Sequence, residues 1–133
     1  MPTPHHLLVI DDEPFIGRIV RLEFERGPYQ VSIAHDADEG MRFLREHPDV
    51  DVVLLDVNMP AKSGLELLEE ARRDPRLGAL PFIVLTAAGQ SGTAERATAL
   101  GAAAFVTKPF SPKKLFRQVA GLLGEPADDD GED

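Results

Sequence analysis

DVVLLDVNMPAKSG, residues Asp51–Gly64, runs four apolar side chains, Val52–Leu55, straight into a carboxylate and then into a turn. A continuous apolar run bounded by turn signals reads as a strand covered on both faces. Ending it on Asp56 is informative, because a buried strand is a rigid post and its last side chain is held at the sheet's edge. Asn58, Met59 and Pro60 then clear the chain from that edge.

The pattern recurs on either side. LLVI (7–10) and FIVL (82–85) are likewise apolar throughout, QVSIA (30–34) alternates like a half-exposed edge strand, and AAFV (103–106) makes a fifth run. Between them lie helical stretches. Glu13–Arg26 places Ile16, Ile19 and Val20 on one face and stops at Gly27-Pro28. Asp36 with Glu39, and Ser63 with Glu66, read as capping boxes ahead of helices. Thr93–Leu100 is alanine-rich and stops at Gly101, and Ser111-Pro112 opens a last helix striped by Leu115, Val119 and Leu122. Five strand–helix repeats predict an α/β fold, a doubly wound (βα)5 parallel sheet with helices on both faces. Runs one, three and four belong inside the sheet.

Composition narrows the function. Of 23 acids, six lie after Gly124 with none of the 14 bases, which leaves 17 acids against 14 bases up to that point. We expect one domain over residues 1–124 and an acidic, disordered, solvating tail over 125–133, and the charged ending reads as a true terminus. Nucleic acid is disfavoured as a partner because phosphate contacts need clustered bases. No apolar run reaches membrane-spanning length and no signal peptide opens the chain, so neither membrane nor export is expected. Cysteine is absent, in keeping with the cytoplasm.

Chemistry gathers after the strands. Asp11 and Asp12 follow the first, Asp56 the third, Thr86 the fourth and Lys108 the fifth. In an open parallel sheet all these positions share one rim, where ligands bind. Three carboxylates there repel one another, and a hard divalent cation, Mg²⁺ or Mn²⁺ in its place, would relieve the repulsion. Asp11 and Asp12 suit a metal, Asp56 suits a nucleophile, and Lys108 and Thr86 suit an attached anion. Together they describe phosphoryl transfer.

LVIDDEP, LLDVNMP, IVLTA and FVTKPF, in this order, resemble the receiver domain of two-component response regulators, over about residues 7 to 123. The spacing is also receiver-like, with 44 positions from Asp12 to Asp56, 30 to Thr86 and 22 to Lys108. The resemblance implies a flavodoxin-like sheet in the order 2-1-3-4-5. It implies that Asp56 takes a phosphoryl group from a histidine kinase or phosphotransfer protein. Asp11, Asp12, Asp56 and the backbone carbonyl of Asn58 would hold Mg²⁺, and Lys108 would pair with the phosphoryl group. Thr86 and Phe105 would be the switch pair, and Asn58 and Ala88 would tune the lifetime of the acyl phosphate. The surface of the fourth helix, fifth strand and fifth helix would meet an unidentified downstream protein, and the chain would be a monomer or weak dimer. A single-domain, chemotaxis-regulator-like protein is the expectation, not an enzyme beyond self-phosphorylation from a phosphodonor and slow autodephosphorylation.

Other readings compete. The receiver could be excised from a larger regulator or hybrid kinase, or serve as an adaptor that never needs phosphate. A phosphatase of the haloacid dehalogenase type also uses a strand-end Asp, a Thr and a Lys. It places an acid two residues after the nucleophile, where this chain has Asn58. Singly, each residue has a plainer role: Asp11 or Asp12 as a helix cap, Phe105 as packing. Lys113, Lys114 and Arg117 read as a solvated face or a docking patch, His5 and His6 as a solvated start, and His35 and His47 as chemically idle.

Overall fold

The computed structural model describes residues 4–59, 61–87 and 92–125. Five strands alternate with five helices: β1 (His5–Ile10), α1 (Pro14–Phe24), β2 (Tyr29–Ala34), α2 (Ala37–Glu46), β3 (Val52–Asp56), α3 (Gly64–Arg73), β4 (Phe82–Ala87), α4 (Thr93–Ala99), β5 (Ala104–Lys108) and α5 (Pro112–Leu122). All neighbouring strands are parallel, in the order β2-β1-β3-β4-β5. The three all-apolar runs are the three inner strands, as their composition requires.

Side chains alternate between two cores. Leu7, Val9, Val52, Leu54, Ile83 and Leu85 face α1 and α5, where Ile16, Val20, Phe24, Leu115 and Val119 meet them. Leu8, Ile10, Val53, Leu55 and Val84 face the opposite layer, with Met41 and Leu44 of α2, Leu67 and Leu68 of α3 and Ala97 of α4. This two-sided burial sets the register, since a slip of one residue would exchange the two cores.

The caps show how local sequence starts the helices. Ser63 and Glu66 form a reciprocal capping box at α3, and Ser111 caps α5 with Pro112 in its first turn. Asp36 accepts from Glu39 N–H, but the Glu39 carboxylate reaches past it to the N–H of His35, so that box is stretched by one residue. No side chain caps α1; Asp11 Oδ1 instead accepts from Glu13 N–H in the turn ahead of it. That helix ends at Phe24, two residues short of Arg26, and β1 and β2 start earlier than their apolar runs suggest.

One expectation fails at the start of β1. His6 is not a solvated residue but is 4 % exposed. Its ring bonds Asp49 Oδ2 at 2.8 Å through Nδ1 and Ser32 Oγ at 2.7 Å through Nε2, and its N–H donates to Asp51. A buried imidazole with both nitrogens engaged is a structural anchor for the foot of the sheet. His5 likewise lies within β1 and bonds Glu125. Glu125 itself donates its N–H to Ala120 O, and Pro126–Asp133 lie outside the described residues.

Candidate functional site

The rim at the carboxyl ends of the strands carries the chemistry. Asp11 directly extends β1, Asp56 closes β3 and Lys108 closes β5. All three continue the alternation that faces α1 and α5, so they converge on one volume above that core. Lys108 Nζ lies 2.9 Å from Asp11 Oδ2, 3.4 Å from Asp56 Oδ2 and 3.2 Å from Glu13 Oε1. Asp11 and Asp56 are almost wholly buried, at 1 % and 2 % exposure, whereas Asp12 is exposed.

Glycine makes room for this. A Cβ on Gly64, the first residue of α3, would collide with the backbone carbonyl of Asp56. Only a residue without a side chain lets the helix start so close to the strand end it follows. The chain turns between them through Ala61, whose φ is 64°.

One oxygen of Asp56 is fixed: Asn58 N–H donates to Oδ1 at 2.9 Å. Oδ2 faces Lys108. Burial raises the Asp56 pKa and the Asp11 carboxylate adds to the rise, outweighing the opposing effects of the Asn58 N–H and Lys108. For Lys108, burial alone would favour the neutral amine. Asp11, Asp56 and Glu13 together more than offset it and hold the ammonium above its ordinary pKa.

Asp11, Asp12 and Asp56 each offer a carboxylate oxygen, all within 4.8 Å of one another. Asp11 Oδ2 is buried, and among the described residues it has no hydrogen-bond partner beyond its 2.9 Å ion pair with Lys108 Nζ. Hard oxygen donors crowded around a single lysine fit a magnesium-sized cation.

Thr86 is buried, and among the described residues its hydroxyl makes only a long 3.4 Å contact to Ala87 O. Asn58 Oδ1 accepts from Ala87 N–H at 3.1 Å, tying the turn after β3 to the end of β4. Phe105 sits beside Val84 and Thr107 beside Thr86, so Phe105 and Thr86 share one sheet face two positions apart. Phe105 is 44 % exposed. Ala88 lies outside the described residues. Sequence reading missed Glu13 as a partner of Lys108. Its place directly after two acids was the available signal, but the lysine that meets it is 95 positions away.

Parallel strands in this order, with acids and a lysine on the rim at their carboxyl ends, define a doubly wound α/β domain of flavodoxin-like topology. The family model for the response regulator receiver domain matches residues 7–120, and the chain belongs to that family. Response regulator Rre1 of Synechocystis is 36% identical over 124 residues, 92% of this chain and 53% of that protein. Response regulator SaeR of Staphylococcus aureus is 37% identical over 118 residues, 89% of this chain and 50% of that one. The chain thus spans about half the length of these curated relatives. Among solved structures, chemotaxis response regulator CheY4 of Vibrio cholerae superposes with a TM-score of 0.83 at 27% identity, covering 90% of this chain and 99% of that one. A response regulator receiver domain protein of Clostridium thermocellum gives 0.83 at 29%, covering 90% and 94%. The flavodoxin-like fold expected from the sequence is the fold of these neighbours.

Proposed function

We propose that this domain takes a phosphoryl group onto Asp56 from the phosphohistidine of a histidine kinase or phosphotransfer protein, and signals through contact with another protein module. The observation that carries the reading is one ammonium, Lys108, shared by three carboxylates at the rim, with Asp56 held by Asn58 N–H. An oxygen of Asp56 forms the new O–P bond as the P–N bond to the donor imidazole breaks, and the electron pair returns to that ring. Asn58 N–H orients the carboxylate, and Lys108 exchanges a carboxylate partner for a phosphoryl oxygen. Asp11, Asp12 and Asp56, with the Asn58 carbonyl, would hold Mg²⁺, which supplies neutralising charge to the transferring group.

Thr86 and Phe105 are the proposed switch pair, on one face of the β4–β5 strand pair. Thr86 suits this because its hydroxyl makes one long contact, to Ala87 O, among the described residues. The exposed aromatic ring then offers the downstream partner a surface that depends on the state of the rim. Turnover of external esters is disfavoured, because the residue two past Asp56 is an amide whose oxygen is already engaged by Ala87 N–H. We propose the cytoplasm as the place of action; no helix among the described residues is long and apolar enough to cross a membrane.

Incubation with Mg²⁺ and a small phosphodonor tests this by intact mass. One added phosphoryl group mapped to Asp56, and lost in Asp56→Asn, is the expected result. Label elsewhere, or equal label on the Asn variant, refutes the assignment.

A further inference from the structure

Helix α4 is held very differently at its two ends. It has seven residues and contributes only Thr93 and Ala97 to the buried set. Its N-cap is Gly92, in the left-handed region at φ 84°, and no side chain among the described residues caps it. So short a helix, with one alanine in the core, has little packing of its own to keep it in place.

Its other end is clamped. Gly101, at φ 83°, turns the chain out of the helix, with Gly101 N–H donating to Thr98 O and Ala102 N–H to Ala97 O. The carbonyls beyond are taken by Arg72 of α3. Its Nε donates to Leu100 O at 3.0 Å and its Nη2 to Gly101 O at 2.9 Å. Nη1 reaches the carbonyls of Leu77, Gly78 and Leu80, at 3.3, 3.1 and 3.1 Å. The guanidinium also lies over the Phe82 ring, 5.2 Å from its centre. Among the described residues no carboxylate pairs with Arg72, so its charge meets backbone carbonyls and the Phe82 ring. A planar fork meets carbonyls of two separate segments where a lysine's point charge cannot.

We propose that Arg72 is the pin of α4: it fixes the helix's C-terminal turn to α3 and to the 74–80 loop, leaving the uncapped N-terminal end as the part free to shift. Because α4 follows β4, which carries Thr86, a change at the rim enters at the free end. The pin makes the response a swing about Leu100–Gly101 and not a displacement of the whole helix. The pin itself stands on the contacts above; its use in signalling rests on the phosphoacceptor reading.

Amide hydrogen exchange on wild type, Arg72→Lys and Arg72→Met separates the two. Without ligand, peptides covering residues 97–102 should exchange at least about tenfold faster in both variants, since hydrogen bonds from a charged donor are lost. Peptides from β1 and β3 should be unchanged. No local acceleration, acceleration spread equally over β1 and β3, or failure of Arg72→Lys to fold would each overturn the pin. With Mg²⁺ and beryllofluoride, a tetrahedral phosphoryl mimic, wild type should change over residues 92–96 while 97–102 stay protected; in the variants the change should extend to 102. An equal wild-type change at both ends overturns the swing. No wild-type response at all overturns the phosphoacceptor reading, while the ligand-free comparison still decides the pin.

Discussion

The two rims of this sheet both collect charge, and they treat it in opposite ways. At the amino ends, each acid has its own donor: Asp49 takes His6 Nδ1, Asp51 takes His6 N–H and Glu125 takes His5. At the carboxyl ends, Asp11, Glu13 and Asp56 share one ammonium, and Asp12 adds a fourth acid beside them. A satisfied rim stabilises the fold. A rim with surplus negative charge carries a repulsion that something positive would relieve, and that surplus suits a divalent cation.

The contrast can be broken from either side. Lys108→Ala should have the largest effect, because it leaves buried Asp11 and Asp56 without a counter-charge; thermal unfolding of metal-free protein should show a loss of about 3 kcal/mol. Added Mg²⁺ should restore part of it, and labelling at Asp56 should no longer be coupled to partner binding in a pull-down with beryllofluoride. His6→Ala should cost about 2 kcal/mol in urea unfolding, from lost packing and an unpaired Ser32, yet leave labelling of Asp56 near wild type. A large labelling defect there would mean the two rims are not independent.

Asp56→Asn should act in the opposite direction. The folded state raises the pKa of Asp56, so it binds more protons than the unfolded chain. Stability of the metal-free protein therefore falls as pH rises from the ordinary carboxylate range through the raised value. Above that window the Asn variant should melt higher than wild type, by about 5 °C, the shift ~1 kcal/mol produces in a domain of this size. Below it, the two should converge. The smallest effect belongs to the outer network of Arg45, Lys62 and Glu70 between α2 and α3. Glu70→Gln should cost no more than about 0.5 kcal/mol and vanish in high salt, as exposed ion pairs do.

The carboxyl rim was the legible one. Asp56 stands out because a wholly apolar run ends on an acid, and Lys108 because it closes the fifth strand. The strand count, the inner strands and the Ser63 and Ser111 caps follow from local pattern in the same way. The amino rim was not legible: His6 opens an apolar run and looks like its polar flank, and its partners Ser32 and Asp49 come from other elements. Glu13 was hidden by redundancy, since a third acid after Asp11 and Asp12 adds nothing to a linear motif. Arg72 looks like any basic residue in the last turn of a helix until the chain brings five carbonyls around it.

Calorimetric titration with Mg²⁺ of wild type, Asp56→Asn and Asp12→Asn is the most direct test of the surplus charge at the carboxyl rim. One site is expected in wild type, weakened at least about tenfold in each variant, a loss consistent with removing one charged oxygen ligand. No binding to wild type, or equal binding to all three, would contradict it.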